Sequence, residues 1–347
     1  MQLSLEHIAD AIGGELIGSG GHLPITGISF INEADSNQIA FALNKEDFRD
    51  IEPGGFCKAG AVIVPLRYGG TRTNIIRVDN MQLAIAKTIG LLNPKEQIQP
   101  KISSRADIHS SASFGEDVYI GPFASIGARS IIGDRVVIQS GVHIGEDVVI
   151  GNDTELSYRV IILPHTHIGN RVVIQPGTLI GGDGFGYAKD GKKLFRIPHT
   201  GRVVIEDDVD IGAYNTIERG NLGRTLIRQG AKTGNLVYIA HNVHVGKHTR
   251  VGGNAGIAGN TFIGNGVLIG PMAGIAQELS IGHDAVIGPK ASIIDDVASG
   301  GSAYGTPGMS RSAWLRSASL IPQLSKMRKK IISMSGQIEE LQSRLKD

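Results

Sequence analysis

The sequence predicts a mainly β protein: a parallel β-helix, with an α/β domain before it and a helical segment after it. Two observations predict the helix. From roughly Ile108 to Val297 an aliphatic residue returns at every sixth position, usually followed by Gly. Ile120-Gly121, Ile126-Gly127, Ile132-Gly133, Ile144-Gly145 and Ile150-Gly151 open the run; Val245-Gly246, Val251-Gly252, Ile263-Gly264 and Ile269-Gly270 continue it after an interruption. Four residues after each aliphatic comes a small or β-branched residue, as at Ala124, Val136, Val142, Thr154, Val160, Val237 and Val267. A period of six fits neither an α-helix nor a plain strand and marks a solenoid.

Each hexad reads as one short strand and one corner. Three hexads, about 18 residues, make a triangular coil. Gly is expected to permit the sharp corner. Both registers are expected to point inward, and each buried Ile or Val contributes about 1.5–3 kcal/mol to a continuous core. Such a scaffold does not by itself imply chemistry.

Residues 1 to about 100 lack the hexad and form a small α/β domain. Leu5, Ile8, Ala9 and Ile12 are spaced for a short amphipathic helix, with Ser4 as N-cap and Gly13-Gly14 ending it. Apolar runs follow at Ile25–Ile28, Ile39–Leu43, Ala61–Val64 and Ile75–Val78. A second helix covers Met81–Leu92 and stops at Asn93-Pro94. The polar stretch Lys95–Ser104 is the boundary.

The solenoid domain occupies 101–305. Residues 181–203 break its period and carry Asp190-Gly191 as a hairpin turn, with Phe185, Tyr187 and Phe195 nearby. Such a loop either lines a binding face or is a capping hairpin. In the last segment, 306–347, Leu320, Leu324, Met327, Ile331, Met334, Ile338, Leu341 and Leu345 form an unbroken heptad seam. That seam must be buried against another copy or a neighbouring subunit. The first half of the helix is basic, through Lys326, Arg328, Lys329 and Lys330.

Composition narrows the function. The chain has 347 residues and a net charge of +1, so a strong electrostatic nucleic-acid or membrane signature is excluded. A single cysteine, Cys57, precludes an intramolecular disulfide and suits a reducing compartment. No basic stretch followed by an apolar run opens the chain, and no apolar run approaches transmembrane length. The expected location is the cytoplasm.

Eleven histidines are the candidates for chemistry. His165/His167 and His241/His244/His248 resemble metal clusters, but the hexad sends them in different directions around the coil, so no metal site is expected. His241 follows a strand on the outward side. One coil later the stacked position is Gly259, a bare backbone N–H close to a reacting carbonyl. A general base beside an oxyanion donor is what acyl transfer needs. Cys57 lies in the other domain and no Ser-His-Asp set is evident, so direct attack by the acceptor is favoured over a covalent acyl-enzyme.

Several motifs point further. They are Gly184-Phe-Gly-Tyr-Ala188, Ile197-Pro-His-Thr-Gly-Arg-Val203, Ile217-Glu-Arg-Gly220, Ile239-Ala-His-Asn-Val243, and the tail Gly305-Thr-Pro, Trp314-Leu-Arg316 and Leu320-Ile-Pro322. With these the whole chain resembles the UDP-3-O-(3-hydroxyacyl)glucosamine N-acyltransferases of lipid A biosynthesis. The resemblance implies a left-handed β-helix, a homotrimer with active sites between subunits, and no cofactor. It implies transfer of an R-3-hydroxyacyl group from the phosphopantetheine of acyl-carrier protein to the 2-amine of a UDP-acyl-glucosamine. His241 becomes the general base and Gly259 the oxyanion donor. In Ile39-Ala-Phe-Ala-Leu-Asn44, Phe41 would stack on uracil and Asn44 would hydrogen-bond to it, although an apolar-run aromatic such as Phe41 can equally be core. Asn235 and Glu278 are further substrate-binding candidates.

The chain departs from the family pattern at four places. Asp47 and Phe48 stand where an aromatic is usual, Gly234 where Asp is usual, Glu278 where His is usual and His199 where Gln is usual. They bear on sugar and acyl specificity. The competing readings are another nucleotide-sugar acyltransferase that uses acyl-CoA, and a non-catalytic β-helix scaffold.

Overall fold

The computed structural model describes residues 2–70, 72, 74–94 and 98–344. It divides into two compact units, 1–97 and 98–347.

In the first unit a five-stranded sheet is built from Glu15–Ile17, Gly27–Ile28, Gln38–Phe41, Ala61–Pro65 and Ile75–Val78. Three of its pairings are parallel and the pairing of Glu15–Ile17 with Ile75–Val78 is antiparallel. Helix α1 (Leu5–Ile12) starts and stops where the sequence expects. The Ser4 side chain accepts the His7 N–H, and Gly13 adopts φ +71° as the left-handed cap. Its buried face, Leu5, Ile8, Ala9 and Ile12, packs on one side of the sheet with Ile39, Ile63 and Ile76. Helix α3 (Met81–Leu92) also has the expected bounds, capped by Asn80. Between them lies α2 (Lys45–Ile51), which hydrophobic periodicity does not announce. Of the boundary stretch, Lys95, Glu96 and Gln97 lie outside the described residues.

The second unit is a parallel β-solenoid. Its coils stack into three sheets of 11, 10 and 9 strands among the described residues. In chain order the first face begins at Lys101–Ile102, the second at Asp107–Ile108 and the third at Ser113–Phe114. Partners stand 18 residues apart, as Tyr119 with Val137 and Ser125 with His143. The aliphatic register and its companion four residues on are both buried, from Ile120 and Ala124 to Ile287 and Ala291, in one continuous core. Val149 and Ile161 fall outside both registers and are exposed.

The structure corrects the expected role of the hexad glycines. Gly121 and Gly127 do not have positive φ. A Cβ on Gly121 would stand 2.7 Å from Ser140 N, and one on Gly127 would stand 2.6 Å from Gly145 C, in the next coil. These glycines let adjacent coils approach. The left-handed corner falls two residues later, on Phe123, Arg129, Arg135, Asp147, Asp153 and their successors. An L-residue there costs about 1–2 kcal/mol. A hydrogen bond to the preceding coil offsets the cost: Arg135 N–H reaches the Glu116 carbonyl at 2.7 Å and Asp153 N–H that of Asp134 at 2.9 Å, while Arg129 N–H donates to the Ser111 hydroxyl at 3.0 Å.

Beyond the solenoid come α4 (Arg311–Leu320), a short 3-10 turn containing Pro322, and α5 (Leu324–Arg344). Among the described residues the heptad seam has no partner: Leu320 to Leu341 are 44–62% exposed along it. Its last member, Leu345, lies outside the described residues. None of the described helices is long and apolar enough to cross a membrane.

Candidate active site

The irregularities of the solenoid gather at the corner between its second and third faces. On the second face Leu179 pairs with Thr216, 37 residues on rather than 18, and the excess is a β-hairpin inserted at this corner. In the following coil Thr216 pairs with Tyr238, 22 residues on, so four extra residues bulge from the same corner. His241 occupies this corner in the next coil, then Gly259, then Glu278. Asn260 N–H bonds His241 O at 3.0 Å, and Glu278 N–H bonds Gly259 O at 3.0 Å.

His241 is half-buried and held from three sides. Its backbone N–H donates to Oε2 of Glu218 at 3.0 Å. Oε1 of the same carboxylate accepts the Tyr238 hydroxyl at 2.6 Å. Burial, then the Glu218 contact, raise the Tyr238 pKa above its ordinary value, so the phenol stays a donor. The His241 ring Nδ1 lies 3.2 Å from Asn242 Oδ1. That amide is oriented by its other contacts: Nδ2 donates to Leu222 O at 2.7 Å, and Oδ1 accepts the Asn221 N–H at 3.0 Å. An amide oxygen only accepts, so Nδ1 carries the hydrogen and Nε2 keeps its lone pair. This is the tautomer a base needs.

Nε2 faces Gly259. A Cβ built on Gly259 would stand 2.7 Å from Nε2 and 2.6 Å from Cε1, so only glycine leaves the ring in place. The Gly259 N–H has no hydrogen-bond partner among the described residues. At the equivalent corner position elsewhere a side chain satisfies that group, as Asn265 Oδ1 does for Lys247 N–H at 2.8 Å. On the second face beside this corner the outward positions after Tyr238 are Gly256 and Gly274, a strip of bare backbone. On the third face a cleft of about 320 Å³ is lined by Arg224, Arg228, His244, Phe262 and His283. Burial first, and then the two arginines, lower the His244 pKa.

The bacterial transferase hexapeptide family (six repeats) matches residues 111–146 and 147–182. A UDP-3-O-acylglucosamine N-acyltransferase of Syntrophotalea carbinolica is 44% identical, covering 99% of each chain. One from Syntrophus aciditrophicus is 42% identical over 99% of this chain and 94% of its own.

The chain belongs to the UDP-3-O-acylglucosamine N-acyltransferase family.

It is therefore an acyltransferase. An Arabidopsis UDP-N-acetylglucosamine acyltransferase structure shares the fold, with a TM-score of 0.56 at 20% identity, over 61% of this chain and 73% of that one.

Of the residues singled out from the sequence, His241, Gly259 and Glu278 share one corner. Glu278 has φ +62° and is exposed. Asn235 lies at the other edge of the second face, where its Oδ1 accepts the Ala213 N–H at 2.9 Å. In the first unit Asn44 is the N-cap of α2. Its Oδ1 accepts Glu46 N–H at 2.8 Å and Asp47 N–H at 3.0 Å, while Asp47 Oδ2 accepts Asn44 N–H, closing a capping box. The Asn44 oxygen is thus engaged, and no hydrogen bond from its Nδ2 is seen among the described residues. Phe41 is half-buried against the α1 side of the sheet. Phe48 packs inward on Tyr68 with ring centroids 5.4 Å apart.

The inserted hairpin (Tyr187–Asp190 with Lys193–Arg196) is exposed along both strands. Asp190 pairs with Lys193, which places Gly191-Lys192, not Asp190-Gly191, in the two-residue turn, with Gly191 at φ +59°. Among the described residues one trio could hold a metal, Glu146, Asp147 and His165. Arg129 already bridges its two carboxylates, at 2.9 and 2.6 Å.

Sequence reading gave no role to Glu218, Tyr238 or Asn242, although Glu218 and Asn242 lie in quoted motifs. A signal existed for one of them: Glu218 follows Ile217, a slot that most hexads give to Gly.

Proposed function

We propose that the protein transfers an R-3-hydroxyacyl group from acyl-carrier protein to the 2-amine of UDP-3-O-acyl-glucosamine, in lipid A biosynthesis. The observation that carries this reading is the His241 Nε2 lone pair set against the free N–H of Gly259. The family relatives supply the substrate class.

In this mechanism the amine nitrogen attacks the thioester carbonyl carbon. His241 Nε2 takes a proton from the amine as the C–N bond forms, and the Gly259 N–H receives the developing oxyanion. The C–S bond then breaks and the proton passes from His241 to the departing thiolate, leaving an amide and a free thiol. No cofactor is required. The glycine strip at Gly256 and Gly274 leaves room for an acyl chain along the second face. Phe41 and the Asn44 Nδ2 bind the uracil. Glu278 and Asn235 contact substrate from the edges of the second face. The basic run at Lys326–Lys330 docks the acidic carrier protein, whose on-rate then falls with salt. The working form is a cytoplasmic homotrimer.

The test is His241→Ala, assayed with a panel of acyl-carrier-protein thioesters and UDP-amino-sugars and read by product mass. Loss of a general base costs roughly 10²–10⁴-fold. Near-parental turnover in the variant overturns the mechanism. A product other than the N-acylated sugar overturns the substrate assignment.

A further inference from the structure

His199 stands at the root of the hairpin, and the mechanism above gives it no part. The residue is only 7% exposed. Nδ1 lies 2.9 Å from the Ile197 carbonyl oxygen. A carbonyl only accepts, so Nδ1 carries the hydrogen and Nε2 presents a lone pair. That nitrogen is buried and has no hydrogen-bond partner among the described residues. Buried acceptors are almost always satisfied, and an orphan beside reacting groups calls for an explanation.

The surroundings supply one. The point where a Gly184 Cβ would stand is 2.8 Å from His199 Nε2, 2.9 Å from His241 Cδ2 and 2.6 Å from Glu218 Oε2. The two imidazole rings meet edge to face, with centroids 5.5 Å apart and planes at 70°. His199 Nε2, Glu218 Oε2 and His241 Cδ2 therefore converge on one point, which a Gly184 side chain would fill and bare glycine leaves open.

We propose that His199 is a positioning residue for the acyl transfer, its orphaned lone pair matched to the charged form of the His241 ring. The inference rests on the reading of His241 as the base. A ring ready to accept a proton is neutral, and its Cδ2–H edge is a poor donor. Once His241 holds the proton of the amine, positive charge spreads over the ring. The Cδ2–H edge then faces a preorganised lone pair, and the Glu218 carboxylate adds to the same field. The contact is worth more in the transition state than in the resting site, which is the condition for accelerating the reaction.

His199→Phe keeps a flat ring without the nitrogen, and His199→Leu serves if the Phe variant does not fold. His199→Gln restores an acceptor oxygen. The apolar variant is expected to lose on the order of tenfold in kcat, the rate equivalent of one hydrogen bond to a charged group, with KM essentially unchanged. Its Tm should hold or rise, because the buried orphan is gone. The Gln variant should recover most of the lost kcat. In a His241→Gln background the apolar change should cost nothing more, because no imidazolium forms there. Parental kcat in the apolar variant, failure of Gln to recover it, or an additive loss in the double variant overturns the proposal. If His241→Gln itself keeps turnover, the base reading fails. If His241→Gln is inactive while the apolar variant keeps its kcat, only this inference fails.

Discussion

Gly259 lies one coil beyond His241, and its missing Cβ would stand 2.7 Å from His241 Nε2. The two positions therefore cannot both carry side chains without moving the ring. Gly259→Ala is expected to fold as the parent does, because its backbone φ is ordinary and the corner beside it is bonded through Asn260 and Glu278. Its kcat should fall by roughly 10²-fold, the cost of displacing a reacting group by about 1 Å. Steady-state kinetics beside a thermal melt decides it: an intact melt with parental kcat would show that ring placement is unimportant.

Glu218 is a buried carboxylate that accepts one N–H and one O–H, from His241 and Tyr238. Glu218→Leu keeps most of the volume but removes both acceptors, which leaves the His241 N–H without a partner. An unsatisfied buried group costs about 1–3 kcal/mol. For a solenoid of this size that lowers Tm by roughly 2–4 °C per kcal/mol. Turnover should fall with it, since the His241 backbone loses its tether. Unchanged Tm and unchanged kcat together would mean that the carboxylate is incidental.

Acid should loosen the arginine–aspartate pairs along the solenoid corners, at Asp147, Asp153 and Asp208. Arg171, followed by Gln229, holds the Asp208 carboxyl at about 2, below its ordinary 3.8. Because the folded value is the lower one, the stabilisation is complete above about pH 4 and is lost as pH falls toward about 2. The pair is exposed, so the effect is small and screened by salt. Melting curves of the parent and of Asp208→Asn should converge across that window at low ionic strength. A constant gap between them through pH 4 to 2 would assign the stability to something else.

The seam on α5 offers a direct test of assembly. Ile331 and Ile338 are both more than half exposed in the single chain. An apolar stripe of that length is an association site. The parent is expected to scatter light as three chains, and Ile331→Lys with Ile338→Lys as fewer, with the solenoid's circular dichroism retained. A monomeric or dimeric parent of full activity would refute both the trimer and an active site shared between subunits.

The core of the solenoid was legible because burial follows a simple count. Ile120, Ile126 and Ile132 declare themselves by period alone, and all are buried. Helices α1 and α3 were legible to the residue because Ser4, Gly13 and Asn93 punctuate them. Helix α2 was not, since only Ile51 is buried on it and its signal is the capping box of Asn44 and Asp47. The pairing of His241 with Gly259 followed from the 18-residue coil. The contacts of Glu218 and His199 did not, because the hairpin and the four-residue bulge put them out of step with that count. Contacts that cross an insertion of irregular length have no period to betray them. The corner glycines were misread for a related reason: a glycine kept for close approach looks, in sequence, like one kept for its φ.

The two corner insertions leave every strand after them in its slot. Leu179 still lies beside Thr216, and Thr216 beside Tyr238, although the chain between them has grown by unequal amounts. Length is thus free at a corner and quantised along the stack. Excising residues 129–146, one whole turn of the spiral, should leave a shorter but soluble and cooperatively melting rod. Excising 129–143 should expose a seam of mismatched faces and aggregate. The molecule can be lengthened or shortened like a spool, and its loops can be redesigned without consulting the thread.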